Sequence, residues 1–158
     1  MRAPNVGDLA PEFALPGFPP GEYRLADLRG KPAVLAFYPG DFTPICTTQL
    51  TSYARSFDTF SATGAVLWGI SVDDLERHEK FAKARALGFP LLSDEGGMVS
   101  KLYGVFGMLG TSKRSVFIID ELGRIVWRRD EPLSMTYAEM DEIIAHLRDV
   151  DWSPPEHP

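Results

Sequence analysis

The sequence predicts an α/β sandwich, a central mixed β-sheet flanked by helices, and three observations predict it. Two short continuous apolar runs, "AVLAFY" at 33–38 and "AVLWGISV" at 65–72, have the character of strands buried on both faces. Each is followed by a stretch whose apolar residues recur every three or four positions, as one buried helical stripe requires. The chain then closes with two further apolar runs around a turn and a last amphipathic segment.

Taken in order, residues 1–32 carry Pro at 4, 11, 16, 19, 20 and 32 and Gly at 7, 17, 21 and 30, so this arm reads as loops with short edge strands. The first buried strand ends at Pro39-Gly40. After Thr43-Pro44, Leu50, Tyr53, Ala54, Phe57 and Phe60 mark one helix, with Thr43 as its cap and Pro44 at its first position. The second buried strand runs into Asp73-Asp74, an acidic helix start, and a charged helix reaching Leu87 and Gly88. "FPLLSD" reads as a short strand and "GGMVSKLYGV" as a short helix. "SVFIID" and "RIVWRR" flank Glu121-Leu122-Gly123 as a hairpin. Thr136 to Glu139 has the form of a capping box, ahead of a helix lined by Met140, Ile143, Ile144 and Leu147. The expected organisation is one domain over 1–150 and a loose tail over 151–158. This order of strands and helices is that of the thioredoxin type.

At 158 residues the chain can bury a core without disulfides or metals to hold it. A formal charge of -6, with no Lys/Arg cluster beyond Arg128-Arg129, argues against a nucleic-acid partner. The opening residues hold no long apolar run and no stretch approaches 18 apolar residues, so neither export nor membrane insertion is expected. The single cysteine excludes an internal disulfide and any Cys-rich zinc site, and it suits a reducing, cytoplasmic setting.

That cysteine, Cys46, would be the third residue of the helix capped by Thr43. Backbone N–H groups there lack intrahelical partners and favour negative charge, and the thiolate is the form that attacks electrophiles. A lone cysteine is otherwise a small buried hydrophobe. Its neighbours decide between these readings. Pro39, Thr43 and Cys46 form Pro-x-x-x-Thr-x-x-Cys directly after a buried strand, within "FYPGDFTPICTTQL". This resembles the active-site motif of the peroxiredoxins, and the wording of "ISVDDLERHEKFA", "FPLLSD" and "KRSVFIID" resembles the bacterioferritin comigratory protein, or Q-type, branch. The likeness runs from about Asn5 to Leu147.

The resemblance implies a thioredoxin-like fold with an N-terminal extension and a thiol-dependent peroxidase acting on hydrogen peroxide and organic hydroperoxides. Cys46 would be the nucleophile, Thr43 would hold the peroxide, Pro39 would shield the sulfur, and Arg114 in "KRSVFIID" would stand beside the cysteine. No metal or cofactor is implied. Many relatives keep a second cysteine five residues after the first, where this chain has Thr51. Reduction would then fall to an external thiol: thioredoxin, glutaredoxin, a small thiol, or transiently Cys46 of another chain. Gln49 stands where close relatives often carry Glu, so an arginine there would meet an amide. The state expected is monomer or homodimer. The alternative function is a redox sensor or chaperone-like binding protein signalling through Cys46 oxidation. A general thiol-disulfide oxidoreductase lacks its Cys-x-x-Cys.

Other residues read as structural. His78, on the second helix, is a packed or surface histidine rather than half of a Cys-His dyad. His146 and His157 are too scattered for a metal site. Asp73-Asp74 reads as a helix cap, Glu95 to Gly97 is no phosphate loop, and Trp68 and Trp127 read as packing residues.

Overall fold

The computed structural model describes residues 3–131 and 136–150; the expected tail over 151–158 lies outside them. Seven strands form one sheet: β1 (Ala14–Phe18), β2 (Gly21–Arg24), β3 (Ala33–Phe37), β4 (Val66–Ser71), β5 (Leu91–Ser93), β6 (Ser115–Ile119) and β7 (Ile125–Asp130). Their spatial order is β2-β1-β5-β4-β3-β6-β7. The proline-rich arm supplies the β1-β2 hairpin at one edge, and β6-β7 forms the other.

β3 is central and buried throughout. It runs parallel to β4 and antiparallel to β6, which makes the sheet mixed as expected. Period-2 alternation splits its side chains between two cores. Val34 and Ala36 join Leu50, Tyr53, Phe60, Phe81 and Ile143 on the face covered by the longer helices. Ala33, Leu35 and Phe37 join Leu25, Trp68, Tyr103 and Phe117 on the other. Trp68 is thus a core residue, its ring edge-on to Tyr23 and Phe13.

The helices are α1 (Pro44–Arg55), α2 (Phe57–Ser61), α3 (Leu75–Arg85), α4 (Met98–Leu102) and α5 (Met140–Arg148). The single helix expected through Phe60 is broken at Ser56, whose φ of −98° and ψ of 9° leave the helical region, although Leu50, Tyr53 and Phe60 all reach the core. Asp74 alone caps α3, its carboxylate accepting the Arg77 N–H at 2.9 Å. The helix stops at Ala86 in the left-handed region, just short of the expected end.

The capping box before α5 does not form. Glu139 is the N-cap with no side-chain bond, and Thr136 donates to Glu131 Oε2 at 2.6 Å instead. The Ala138 carbonyl is engaged by the Tyr53 hydroxyl at 2.5 Å, which holds this segment against α1 rather than in a helical turn. Met140, Ile143, Ile144 and Leu147 line the buried face of α5 as expected. No helix among the described residues is long and apolar enough to cross a membrane.

Candidate active site

The turn from β3 into α1 carries Pro39, Thr43 and Cys46. Thr43 has the extended backbone of an N-cap (φ −76°, ψ 149°) and Pro44 occupies the first turn, where a missing N–H costs nothing. The Thr43 hydroxyl does not cap the helix. It donates to the Gly40 carbonyl at 3.0 Å, so the N–H groups of the first turn receive no bond from its side chain. Cys46 lies in that turn and is fully buried.

Arg114 comes from the far end of the sequence by strand register. Phe37 pairs with Ser115 in the antiparallel β3-β6 ladder, so the residue before β6 lies beside the residue after β3. The Arg114 guanidinium, almost fully buried, donates from Nη2 to Cys46 Sγ at 3.1 Å across 68 residues of sequence. Its Nη1 donates to Gln49 Oε1, one turn further along α1. Gln49 in turn donates from Nε2 to the Tyr53 hydroxyl at 3.1 Å, and Tyr53 donates to Ala138. Burial pushes the Tyr53 phenol well above its ordinary range, so this hydroxyl stays a donor. A fixed cation thus meets the sulfur, and a neutral amide and phenol steady it from behind.

A second hydrogen-bonded group flanks the same turn. Asp41 is fully buried, with Oδ1 accepting from the Tyr38 hydroxyl at 2.6 Å and Oδ2 facing His78 Nδ1 at 2.6 Å. The Asp41 N–H donates to Asp73 Oδ2 at 2.7 Å, and Arg77 Nη2 donates to the Asp41 carbonyl at 2.8 Å. His78 Nε2 faces the Leu92 carbonyl at 2.9 Å. His78 is therefore packed, and its partner is Asp41 rather than Cys46. The Asp73-Asp74 pair divides its duties, with Asp74 capping α3 and Asp73 holding this turn.

Sequence reasoning places Pro39, Thr43, Cys46 and Arg114 at one locus. Arg114 and Cys46 meet, Thr43 opens the helix that carries Cys46, and Pro39 sits half-buried where β3 ends. It misses Tyr38, Asp41 and Tyr53: Asp41 meets His78 and Tyr53 meets Ala138 on other elements, and Tyr38 meets Asp41 within the turn. The nearest signal is the polar Asp41 between Gly40 and Phe42, directly after a buried strand.

A profile described as the AhpC/TSA family matches residues 6–128. The chain is 40% identical over 123 residues to the chloroplastic peroxiredoxin Q of Populus jackii, covering 75% of this chain and 57% of that one. It is 35% identical over 135 residues to peroxiredoxin Bcp of Bacillus subtilis, covering 79% and 85%. Its match thus spans under three fifths of the plant relative. The crystal structure of peroxidoxin BcpB from Mycobacterium tuberculosis has a TM-score of 0.84 and 33% identity, covering 94% of this chain and 99% of that one. The chain belongs to the AhpC/TSA family, with the thioredoxin-like fold of the peroxiredoxins.

Proposed function

We propose that this chain is a thiol-dependent peroxidase working by a one-cysteine cycle on hydrogen peroxide and organic hydroperoxides. The observation that carries the proposal is the buried Arg114 guanidinium 3.1 Å from Cys46 Sγ. In the first step the Cys46 thiolate attacks one oxygen of the peroxide. An S–O bond forms as the O–O bond breaks, the departing oxygen takes the electron pair and a proton, and water or an alcohol leaves. The sulfur is left as a sulfenic acid.

Arg114 and the N–H groups of the first turn of α1 face the charge that shifts from sulfur to the leaving oxygen. Thr43 holds the peroxide, and Pro39 keeps bulk water from the sulfur. Cys46 is the only cysteine of the 158 residues, so an external thiol attacks the sulfenic acid, releasing water, and a second thiol then frees Cys46 from the mixed disulfide. Thioredoxin, glutaredoxin and small thiols are the reductant classes, which fits a cytoplasmic, reducing setting.

The test is to treat the reduced protein with one equivalent of hydrogen peroxide, trap sulfenic acid for intact-mass measurement, and offer each reductant separately. Oxidation within seconds and many turnovers with one of them are expected. Fast oxidation without turnover under every reductant would favour a sensor, and a thiol unchanged after minutes would overturn both readings. In Cys46→Ser the trapped mass should vanish.

A further inference from the structure

Asp41, Tyr38 and His78 are all fully buried and take no part in the cycle above. Their hydrogen bonds count protons. Leu92 offers a carbonyl, an acceptor only, so His78 Nε2 must carry a hydrogen. Tyr38 donates to one carboxylate oxygen of Asp41. Between the other oxygen and His78 Nδ1, 2.6 Å apart, there is then room for one proton, held by either partner. Without it, a carboxylate oxygen would face a ring lone pair at contact distance in a site closed to water.

The charged and titratable groups around the pair are few. Tyr38, at the end of β3, is held well above its ordinary range, first by burial and then by Asp41. From the β4-α3 corner come Asp73, which accepts from Asp41 N–H and Ser71, and Arg77, which pairs with Asp73 at 3.0 Å. Asp74 is occupied with the cap of α3. Past β5, Asp94 is held by the N–H groups of Val99 and Ser100 and the Ser100 hydroxyl. The first turn of α1 adds no carboxylate; its titratable group is Cys46 itself, with the Arg114 guanidinium against it.

Asp41 is also where the turn is anchored. Its N–H, its carbonyl and both carboxylate oxygens are bound, and the next residue, Phe42, has a φ of 65°, a left-handed conformation that a non-glycine residue keeps only when its surroundings impose it. Thr43 and the first turn of α1 follow directly. We infer that Asp41 and His78 share a single proton and act as positioning residues, clamping the turn that presents Thr43 and Cys46, and that loss of this proton releases the turn and slows attack on peroxide.

This rests on the peroxidase reading. The experiment measures the second-order rate of Cys46 oxidation by hydrogen peroxide from about pH 6 to about pH 10 in the reduced full chain. The wild-type rate should fall on the alkaline side along a one-proton curve. Asp41→Asn should lack that limb, because its amide can donate to Nδ1 and accept from Tyr38 with no shared proton. His78→Ala, which strands the Asp41 carboxylate, should be about tenfold or more slower than Asp41→Asn at neutral pH. If His78→Ala does not fold, His78→Asn carries the test, since its amide is a non-titrating donor to Asp41 and should also erase the limb. An alkaline limb that persists in Asp41→Asn or His78→Asn overturns the shared proton. A wild type that does not oxidise overturns the peroxidase reading instead.

Discussion

Two hydrogen-bonded groups grip the start of α1 from opposite sides, and they differ in what they hold. The Arg114, Gln49 and Tyr53 chain ends on the sulfur itself and brings a formal charge to it. The Tyr38, Asp41 and His78 group ends on the backbone of the preceding turn. One therefore acts on the electrostatics of the reacting atom and the other on where that atom sits. In the first group the partner of the charge is an amide; in the second the charge is divided across a buried acid and base.

The contrast breaks most sharply at Arg114. Arg114→Ala removes the guanidinium that donates to Sγ, and the rate of Cys46 oxidation should fall by about tenfold to a thousandfold, as the loss of one preorganised donor does elsewhere. Stopped-flow oxidation at neutral pH measures it. Unlike His78→Ala, this variant should keep the alkaline limb, because the clamp is untouched. A rate within twofold of wild type would remove Arg114 from the site.

How much of this was legible in the sequence follows the range of the interactions. Val34 to Phe37 announce a doubly buried strand because its identity is local composition, and Met140 to Leu147 announce a helix by period. Thr43, Pro44 and Cys46 could be placed together because one helical turn spans them. Arg114 could be assigned only through resemblance, since the register of β3 on β6 that brings it to Cys46 is not written in any short stretch. His78 read as a packed residue, which it is, but its partner is 37 residues away and no spacing links the two. The capping box failed for the same reason: Ala138 is claimed by Tyr53, 85 residues earlier, and local preference yielded to that contact. The break at Ser56 has no explanation in the structure.

A smaller change sharpens the role of the neutral partner. Gln49→Glu would set a carboxylate against the Arg114 guanidinium, which now would serve two anions. The oxidation rate should fall by about two- to fivefold, with the alkaline limb again in place. A larger rate than wild type would show that the amide is not what keeps the cation available to sulfur.

The smallest expected effect separates fold from chemistry. Tyr53→Phe deletes the hydroxyl that accepts from Gln49 and donates to Ala138, and at neutral pH it should cost about 1 to 2 kcal/mol of stability. Burial holds the Tyr53 phenol above its ordinary value of 10.0 in the folded chain, so between that value and the folded one the unfolded chain has released a proton that the folded chain retains. Wild-type stability is therefore fully present below about pH 10 and falls as the pH rises beyond it, by about 1.4 kcal/mol per pH unit for each such phenol. Tyr38 and Tyr103 are raised in the same direction, also chiefly by burial. Tyr53→Phe removes one of four raised phenols, Tyr23 being the fourth, so its alkaline decline should be shallower and its deficit against wild type should narrow above that pH. Urea unfolding across the alkaline range reads both slopes. Parallel slopes would mean that Tyr53 loses its proton as freely in the fold as outside it, and no deficit at neutral pH would mean that the bond to Ala138 is not what ties α1 to the segment before α5.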